Sequence, residues 1–332
     1  MHTTAPKSVV ITDWTFEDLD IEQTIVSSAG YQLIARRCKS EEELIALCAD
    51  ADAVITQFAR VNANVINAMS RACVIVRYGI GVDNVDLDAA RLRNIPVCNI
   101  PDYCVDEVAD QTLAFILSTT RQVVPNALHL RNGNWGLATS VSAMQALKYL
   151  TVGIVGFGRI GREVVKRLLA FKARVLVLDP LVDQAAIWAA GGEPVGSFGD
   201  MLPRCDVISP HCPSTPATKG LFGADAFAAM KPGSVFINVS RGDLVDSAAL
   251  LSALQGGILS AAALDVFDPE PIPADSPLRK MPNVILAAHI ASVSPAAVQT
   301  LRQTAAQLAV GGLRGELLPN IVNRVTVTRP TP

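Results

Sequence analysis

One segment, residues 151–179, constrains the fold more than any other part of the chain. It reads TVGIVGFGRIGREVVKRLLAFKARVLVLD. An apolar run ends in the glycine pattern GFGRIG, an amphipathic stretch follows, and a second apolar run closes on Asp179. This order predicts a strand, a tight turn, a helix and a second strand, which together form the unit that carries dinucleotide sites in parallel sheets.

The glycines and the acid of this unit predict the chemistry of its ligand. Gly156 permits the tight turn, Gly158 lets backbone N–H groups approach a pyrophosphate, and Gly161 lets the helix pack close to its strand. Asp179, eighteen residues after Gly161, can accept hydrogen bonds from the ribose hydroxyls and would repel a 2′-phosphate. A glycine turn can also be purely structural, but the strand, helix and acid around this one favour NAD(H) as the cofactor.

Length and composition restrict the class of protein. A chain of 332 residues suffices for two domains, and 50% hydrophobic with 18% charged residues is typical of a globular protein. The net charge of -3 gives no reason to expect a nucleic-acid or membrane partner. The 7 cysteines contain no CxxC pair, and none of the 4 histidines has ligand spacing. We therefore expect reduced thiols in a cytoplasmic protein and no metal site.

Short β-branched runs alternate with helical patterns before residue 100 and again after residue 200. Before residue 100, the predicted strands are Ser8–Thr12, Tyr31–Ala35, Ala53–Thr56, Cys73–Arg77 and Pro96–Asn99. The predicted helices between them are Leu19–Ala29, Glu41–Ala49, Asn64–Ser70 and Leu87–Asn94. After residue 200, strands are predicted at Asp206–Ser209, Val235–Val239, Ala261–Val266 and Val284–Ala288, and these make six with the two strands of the glycine unit. The predicted fold class is α/β, with two doubly wound parallel sheets.

A domain boundary is predicted near residue 104. The connection Ile100–Cys104 contains a proline, and a long helical pattern begins directly after it at Val105. Residues 295–311 predict one more helix. The tail Leu317–Thr328 reads as extended, and we expect it to return to the first domain.

Polar residues follow several predicted strands of the second sheet at the point where each strand ends. They are His211, Ser240, Arg241, Asp265, Glu270 and His289, and Pro213 closes the turn that His211 begins. The carboxyl ends of parallel strands meet at one edge of a sheet, where ligands bind. Strands that serve only the core would finish in neutral turn residues, so this pattern predicts an active site.

The loop after the fourth strand of the first domain is a candidate carboxylate site. It reads RYGIGVDN from residue 77 to residue 84. Gly79 and Gly81, on either side of Ile80, expose backbone N–H groups that suit a carboxylate. An ordinary strand-to-helix turn is the alternative.

Three residues at the ends of the second domain's strands could reduce a 2-oxo acid together with a nicotinamide. Arg241 can hold the carboxylate and polarise the carbonyl, since a guanidinium is always charged and forks onto planar anions. His289 can deliver the proton, and Glu270 can orient the imidazole and oppose its positive charge. Taken alone, a residue of each of these types more often has a structural role. The order and context of the three in this chain favour a catalytic role.

Several blocks of sequence resemble the D-isomer-specific 2-hydroxyacid dehydrogenases. Residues 238–246 read NVSRGDLVD, residues 263–267 read ALDVF, Glu270 precedes a proline, and His289 precedes an isoleucine. The RYGIGVDN loop and the GFGRIG turn match as well, so the resemblance covers nearly the whole chain. It identifies Arg241, Glu270 and His289 as the expected catalytic set.

The resemblance also implies an architecture and further contacts. It implies a flavodoxin-like substrate domain, residues 1–104 and 294–332, into which a Rossmann NAD-binding domain, residues 105–293, is inserted. The implied active site lies in the cleft, and the implied assembly is a homodimer formed through the NAD-binding domain. Besides Gly156, Gly158, Gly161 and Asp179, the implied cofactor contacts are Arg159, Ile160, His211, Pro213, Thr218, Val239, Ser240, Arg241, Asp265 and His289. The implied substrate contacts are Tyr78, Gly79, Ile80, Gly81 and Arg241.

Within the family, the chain looks closest to the branch that contains phosphoglycerate dehydrogenases and C-terminal-binding proteins. Thr56 stands where phosphoglycerate dehydrogenases commonly place an arginine, and Ser292 stands where C-terminal-binding proteins carry a tryptophan. Gln57, Phe58 and Tyr78 are expected to line the pocket for the substrate's side chain. The predicted function is reduction of a small 2-oxo acid to its (R)-2-hydroxy acid; the alternatives are an NADH-sensing regulatory scaffold and a phosphoglycerate dehydrogenase.

Overall fold

The computed structural model describes residues 6–326, and within it the chain forms two compact units. Unit 1 comprises Met1–Tyr103 and Ser294–Pro332, and unit 2 comprises Cys104–Val293. The sequence predicts divisions after residues 104 and 293, and the contacts divide the chain after residues 103 and 293. The last residues of the predicted tail, 327 and 328, lie outside the described residues.

Unit 1 is built on a parallel sheet with five strands among residues 6–326. The strands are β1 (Ser8–Ile11), β2 (Gln32–Ala35), β3 (Ala53–Thr56), β4 (Ile75–Arg77) and β5 (Val97–Cys98). The helices between them are α1 (Asp20–Ser28), α2 (Glu41–Cys48), α3 (Ala63–Ala68) and α4 (Leu87–Leu92). The strand order β2-β1-β3-β4-β5 is the flavodoxin-like order.

Local chemistry accounts for where several helices of unit 1 begin. The side chains of Ser40, Asn62 and Asp86 each accept a hydrogen bond from a backbone N–H in the first turn of α2, α3 and α4. The central strands β1 and β3 are buried throughout, whereas the edge strand β2 is largely exposed. A long helix from the other end of the chain, Pro295–Leu313, packs on β3, β4 and α1, so both ends of the chain build this core.

Unit 2 is built on a parallel sheet with seven strands among the described residues. They are β6 (Thr151–Val155), β7 (Arg174–Leu178), β8 (Glu193–Pro194), β9 (Val207–Pro210), β10 (Ser234–Asn238), β11 (Leu259–Leu264) and β12 (Val284–Leu286). Its helices are α5 (Val105–Thr120), α6 (Val123–Arg131), α7 (Arg159–Ala170), α8 (Gln184–Ala189), α9 (Phe198–Met201), α10 (Ala224–Ala229) and α11 (Ser247–Gln255). Short 3₁₀ turns occur at Val141–Ala143, Leu147–Tyr149, Leu202–Arg204, Gly242–Leu244 and Pro277–Lys280. The helix Pro295–Leu313 of unit 1 is α12.

The order of the strands in unit 2 places its ligand edge. It is β12-β11-β10-β9-β6-β7-β8, which is the dinucleotide-binding order with one strand added beyond β11. The order reverses between β6 and β9, and ligands of such sheets bind at this point, outside the carboxyl ends of the strands. The predicted fold class, two doubly wound parallel sheets, is confirmed.

The prediction of six strands in this domain is wrong by one. The missed strand β8 has two residues, Glu193 and Pro194, and pairs with β7 alone at the edge of the sheet. A strand this short has no hydrophobic period to detect. Helix α6 is also absent from the predicted elements; none of its residues is buried, so it has no core-facing apolar stripe of the kind that marks an amphipathic helix in a sequence.

No helix within residues 6–326 combines the length and the apolar character that crossing a membrane requires.

Candidate active site

The glycine turn of unit 2 joins β6 to α7 in the geometry that a pyrophosphate requires. Gly156 has φ +103°, and a Cβ there would lie 2.7 Å from the backbone N of Cys212, so a side chain cannot be accommodated. A Cβ on Gly161 would lie 2.2 Å from the carbonyl oxygen of Gly156, which shows how closely α7 packs on the turn. A Cβ on Gly158, in contrast, would meet nothing within 4 Å, so this face of the turn is open.

Helix α7 begins at Arg159 directly after this open face. Gly158 is its N-cap and supplies no side-chain cap to the first turn. Arg159 and Ile160, two of the predicted cofactor contacts, are the first residues of the helix. The N–H groups at the start of a helix attract anions, so the turn has the shape and the donors to hold a dinucleotide pyrophosphate.

Asp179 stands directly after β7 and ties the two strands of the glycine unit together. Its Oδ2 accepts a hydrogen bond from the backbone N of Phe157 at 2.7 Å, and its Oδ1 accepts one from the backbone N of Leu181 at 2.8 Å. The carboxylate therefore helps to hold the glycine turn. Each carboxylate oxygen has a second acceptor position, which is what a ribose diol would need.

The loops after β9 and β10 are joined to one another by side chains. The hydroxyl of Ser240 donates to the carbonyl oxygen of Cys212 at 2.6 Å. In the loop after β9, the hydroxyl of Thr218 donates to the carbonyl oxygen of Pro213 at 2.7 Å and accepts from the backbone N of Thr215 at 2.8 Å. Val239 continues β10 as a buried residue. These predicted cofactor residues thus form one connected rim beside the glycine turn.

The turn that carries Arg241 is shaped by Asn238, the last residue of β10. The side chain of Asn238 accepts from the backbone N of Ser240 at 3.0 Å and donates to the carbonyl oxygen of Arg241 at 2.8 Å. Arg241 Nη1 donates to the carbonyl oxygen of Ser240 at 2.7 Å, which orients the guanidinium. Asn238 is not among the predicted site residues, although asparagine at a strand end commonly bonds its own backbone two residues on.

Gly242 allows the Arg241 turn to contact the loop that carries Glu270. A Cβ on Gly242 would lie 1.9 Å from the carbonyl oxygen of Phe267. The backbone N of Phe267 in turn donates to Glu270 Oε1 at 2.8 Å. The absence of a side chain at residue 242 is therefore what brings the two predicted catalytic loops together.

Glu270 and His289 form a hydrogen-bonded pair. His289 Nδ1 lies 2.8 Å from Glu270 Oε2, and both side chains are about one-third exposed, 29% for His289 and 32% for Glu270. Because Nδ1 faces a carboxylate acceptor, we assign the hydrogen to Nδ1.

The Glu270 carboxyl is ionised at neutral pH. Burial acts to raise its pKa, but the hydrogen bond and the charge of His289 act against this, with help from the Phe267 N–H and the Arg241 charge. The net result is a pKa below the ordinary value of 4.5. Arg241, Glu270 and His289 are thus electrostatically connected within unit 2.

Asp265 holds the turn that presents His289. His289 has φ +55°, a left-handed conformation that is uncommon for residues other than glycine. Its backbone N donates to the Asp265 carbonyl oxygen at 2.7 Å. The fully buried Asp265 carboxylate accepts from the next two N–H groups, those of Ile290 at 2.9 Å and Ala291 at 2.8 Å. Burial nevertheless raises the Asp265 pKa.

The predicted carboxylate loop, residues 78–81, belongs to unit 1. The Gly79 N–H donates to the carbonyl oxygen of Arg77 at 2.8 Å, so it is already engaged. The Tyr78 ring is 1% exposed, and its hydroxyl donates to Glu22 Oε1 at 2.9 Å inside the core of unit 1. Burial and this hydrogen bond turn the Tyr78 ring toward the core of unit 1, and its expected place in the substrate pocket stays a prediction.

The other two residues predicted to line the pocket, Gln57 and Phe58, differ in how far their side chains are exposed. The Gln57 side chain is buried and bonded to Thr15, accepting from its backbone N at 2.7 Å and donating to its hydroxyl at 3.1 Å. Phe58 is 47% exposed. No group of three or more His, Cys, Asp or Glu side chains that could hold a metal ion occurs among residues 6–326.

Comparison with known proteins gives one family. A family model described as "D-isomer specific 2-hydroxyacid dehydrogenase, NAD binding domain" matches residues 113–291. The D-3-phosphoglycerate dehydrogenase of Mycobacterium tuberculosis (strain ATCC 25618 / H37Rv) is 38% identical over 283 residues, which are 85% of this chain and 53% of that protein. The chain thus spans about half the length of the curated relatives that it matches.

Two solved structures are similar along nearly their whole length. The TT0316 protein from Thermus thermophilus has a TM-score of 0.85 at 33% identity, covering 95% of this chain and 99% of that one. D-Lactate dehydrogenase from Aquifex aeolicus, complexed with NAD and lactic acid, has a TM-score of 0.83 at 26% identity, covering 93% of this chain and 96% of that one.

His211 generates a prediction about stability and pH. Its Nε2 lies 3.0 Å from the Ser209 hydroxyl, and burial lowers its pKa from 6.5 to about 4. As the pH falls from 6.5 to about 4, the unfolded chain takes up a proton that the folded chain refuses, so the free energy of unfolding falls. Between about pH 7 and pH 5, the wild type should lose on the order of 2 kcal/mol of unfolding free energy through this residue. His211→Gln should lack this part of the loss.

Urea unfolding of the wild type and of His211→Gln at the two pH values measures this difference. Equal losses of unfolding free energy in the two proteins would contradict a partly buried imidazole at residue 211 that stays neutral in the folded chain.

Proposed function

Because the chain belongs to the D-isomer-specific 2-hydroxyacid dehydrogenase family, we propose that it interconverts a small 2-oxo acid and its (R)-2-hydroxy acid with NAD. The observation that carries the proposal is the Glu270–His289 pair, 2.8 Å apart, in the same unit as the glycine turn and the Arg241 turn. The similarity to a D-lactate dehydrogenase complexed with NAD and lactic acid supports it.

Arg241 binds and polarises the substrate. Its guanidinium is always charged and can fork onto a carboxylate, and the bond to Ser240 limits the freedom that it would lose on binding. The positive charge also stabilises negative charge that develops on the carbonyl oxygen during reduction. When bound, the nicotinamide supplies the hydride that reaches the carbonyl carbon.

His289 supplies the proton in the direction of reduction. The Nε2–H of its imidazolium donates to the carbonyl oxygen as that oxygen becomes a hydroxyl. The ionised Glu270 opposes the imidazolium charge and fixes the ring through Nδ1. In the direction of oxidation, neutral Nε2 takes the proton from the substrate hydroxyl.

The remaining predicted contacts stand as part of the proposal. Glycine-turn N–H groups bind the pyrophosphate, and Asp179 binds the adenosine ribose. The other cofactor contacts are those named above: Arg159, Ile160, His211, Pro213, Thr218, Val239, Ser240 and Asp265. In the substrate loop, the backbone N–H groups of Ile80 and Gly81 bind the carboxylate, since that of Gly79 is bonded to Arg77.

Oxidation of 3-phosphoglycerate is a second candidate, favoured by the names of the relatives. Thr56 weighs against it. The side chain is fully buried, and its hydroxyl donates to the Ala59 carbonyl oxygen at 3.2 Å and to Asp13 Oδ1 at 3.3 Å. Thr56 therefore offers no positive charge for a phosphate.

A panel of 2-oxo acids tests the function. Oxidation of NADH is followed with glyoxylate, pyruvate, hydroxypyruvate, phenylpyruvate, a branched 2-oxo acid and 3-phosphohydroxypyruvate. We expect turnover of at least one unphosphorylated acid. Turnover of the phosphorylated acid alone would favour the second candidate, and NADH binding without any turnover would favour a regulatory scaffold.

The role of His289 predicts a kinetic effect. His289→Asn removes the proton donor and should lower turnover about 10²–10⁴-fold. The binding of NADH, measured by its fluorescence, is the control and should weaken far less than turnover, because the glycine turn that holds the pyrophosphate is untouched. Full turnover by this variant would remove His289 from the proposed mechanism.

The role of Asp179 predicts a change of cofactor preference. Asp179→Asn removes a negative charge that would repel a 2′-phosphate, so the ratio of kcat/KM for NADPH to that for NADH should rise at least about tenfold. Asp225→Asn, the same change in the first turn of α10, is the matched control. An unchanged ratio in Asp179→Asn would count against the ribose contact.

The proposal includes a homodimer formed through the NAD-binding domain. The segment from α6 to the 3₁₀ turn at residue 141 exposes many apolar side chains, which favour a protein partner over water. Those at least half exposed are Val123 (51%), Leu128 (51%), Leu130 (57%), Trp135 (92%), Leu137 (55%) and Val141 (75%).

A cytoplasmic location is also part of the proposal, supported by seven free thiols.

Sedimentation velocity tests the dimer. We expect the wild type to sediment as a dimer and Trp135→Glu to shift toward monomer, because a charge would be buried in the interface. Trp188→Glu, at an exposed tryptophan of α8, is the control and should remain dimeric. A monomeric wild type, or equal dissociation of both variants, would contradict this surface.

A further inference from the structure

A buried ion pair joins the two ends of the chain inside unit 1. Glu22 in α1 is 0% exposed and Arg302 in α12 is 7% exposed. Arg302 Nε lies 3.0 Å from Glu22 Oε1, and Nη2 lies 2.7 Å from Oε2, so the contact is bidentate. Nη2 also donates to Asp18 Oδ1 at 2.8 Å. Burying two charges carries a desolvation penalty that well-packed apolar residues avoid, so stability alone is a weak reason for this pair.

Tyr78 connects this pair to the loop after β4. Its hydroxyl donates to Glu22 Oε1 at 2.9 Å, the same oxygen that accepts from Arg302. The ring packs edge-on against Phe16 with centroids 5.3 Å apart, and the Arg302 guanidinium lies 5.1 Å from the Phe16 centroid. The Tyr78 hydroxyl therefore donates to the Glu22 carboxylate, which Arg302 holds in place.

The next residues along the chain are the proposed carboxylate loop. The Tyr78 backbone N donates to the Thr56 carbonyl oxygen at 2.8 Å. The Gly79 carbonyl oxygen accepts from the backbone N of Ile100 at 2.9 Å, and the Ile80 carbonyl oxygen accepts from Asn99 Nδ2 at 2.6 Å. The loop is thus anchored after β5 through two carbonyl groups and in the core through one phenol.

We propose that Tyr78, held by Glu22 and Arg302, is a positioning residue that fixes the backbone N–H groups of Ile80 and Gly81 for the substrate carboxylate. This inference rests on the proposed function, since it assigns the loop to a 2-oxo acid. It gives Tyr78 a role through the backbone that follows it, although its ring is turned toward the core of unit 1. It also explains why a charged pair stands beside the phenol, because a hydrogen bond to a carboxylate is stronger and more directional than apolar packing.

Tyr78→Phe tests the inference by removing one hydroxyl and leaving the ring and the ion pair in place. We expect KM for the 2-oxo acid to rise about threefold to thirtyfold, because the two N–H groups lose their fixed direction. KM for NADH should not change, since the glycine turn belongs to unit 2. Tyr31→Phe removes a hydroxyl from a ring packed against the same core of unit 1 and should leave both KM values unchanged.

Amide hydrogen exchange of residues 79–82 gives a readout that does not need turnover. Faster exchange in Tyr78→Phe than in Tyr31→Phe, together with the raised KM, supports the positioning role. A lower melting temperature with unchanged KM and unchanged exchange would show a merely structural hydroxyl and overturn it. If the wild type reduces no 2-oxo acid, the proposed function fails, and unchanged exchange in this loop would then overturn the positioning role separately.

Discussion

The hydrogen bond between Glu270 and His289, 2.8 Å long, is the interaction on which the proposed chemistry depends. Hydrogen bonds to the backbone of neighbouring residues hold both Glu270 and His289 in place. Glu270 is fixed by the backbone N of Phe267, and His289 is kept in a left-handed conformation by bonds to Asp265. The surrounding backbone therefore holds His289 in a conformation that few residues other than glycine adopt.

The parallel sheet of unit 2 explains how residues far apart in sequence reach one edge. The strands β9, β10, β11 and β12 are consecutive neighbours in the sheet, so the loops that follow them meet at their carboxyl ends. Close backbone approaches then set the detail, at Gly156 against Cys212 and at Gly242 against Phe267. In unit 1, by contrast, the buried ion pair of Glu22 and Arg302 anchors Tyr78 through a hydrogen bond.

Much of the fold and of the candidate site could be predicted from the sequence because it follows from local patterns. β-Branched runs indicate most strands, and polar residues after them indicate the edge that carries Arg241, Glu270 and His289. Three features could not be predicted, one because the element is short and two because they depend on tertiary contacts. Strand β8 is too short to show a period, Asp265 acts on a turn twenty-five residues later, and Tyr78 faces the core because its partner Glu22 lies there.

We propose that Arg241 and His289 act on one and the same substrate, Arg241 on its carboxylate and His289 on its carbonyl oxygen. A crystal structure with NAD⁺ and oxamate, an inert 2-oxo acid analogue, tests it most directly. We expect the keto-like oxygen of oxamate within about 3 Å of His289 Nε2 and its carboxylate paired with the Arg241 guanidinium. Oxamate bound with Nε2 turned away from it, or with no contact to Arg241, would contradict the claim.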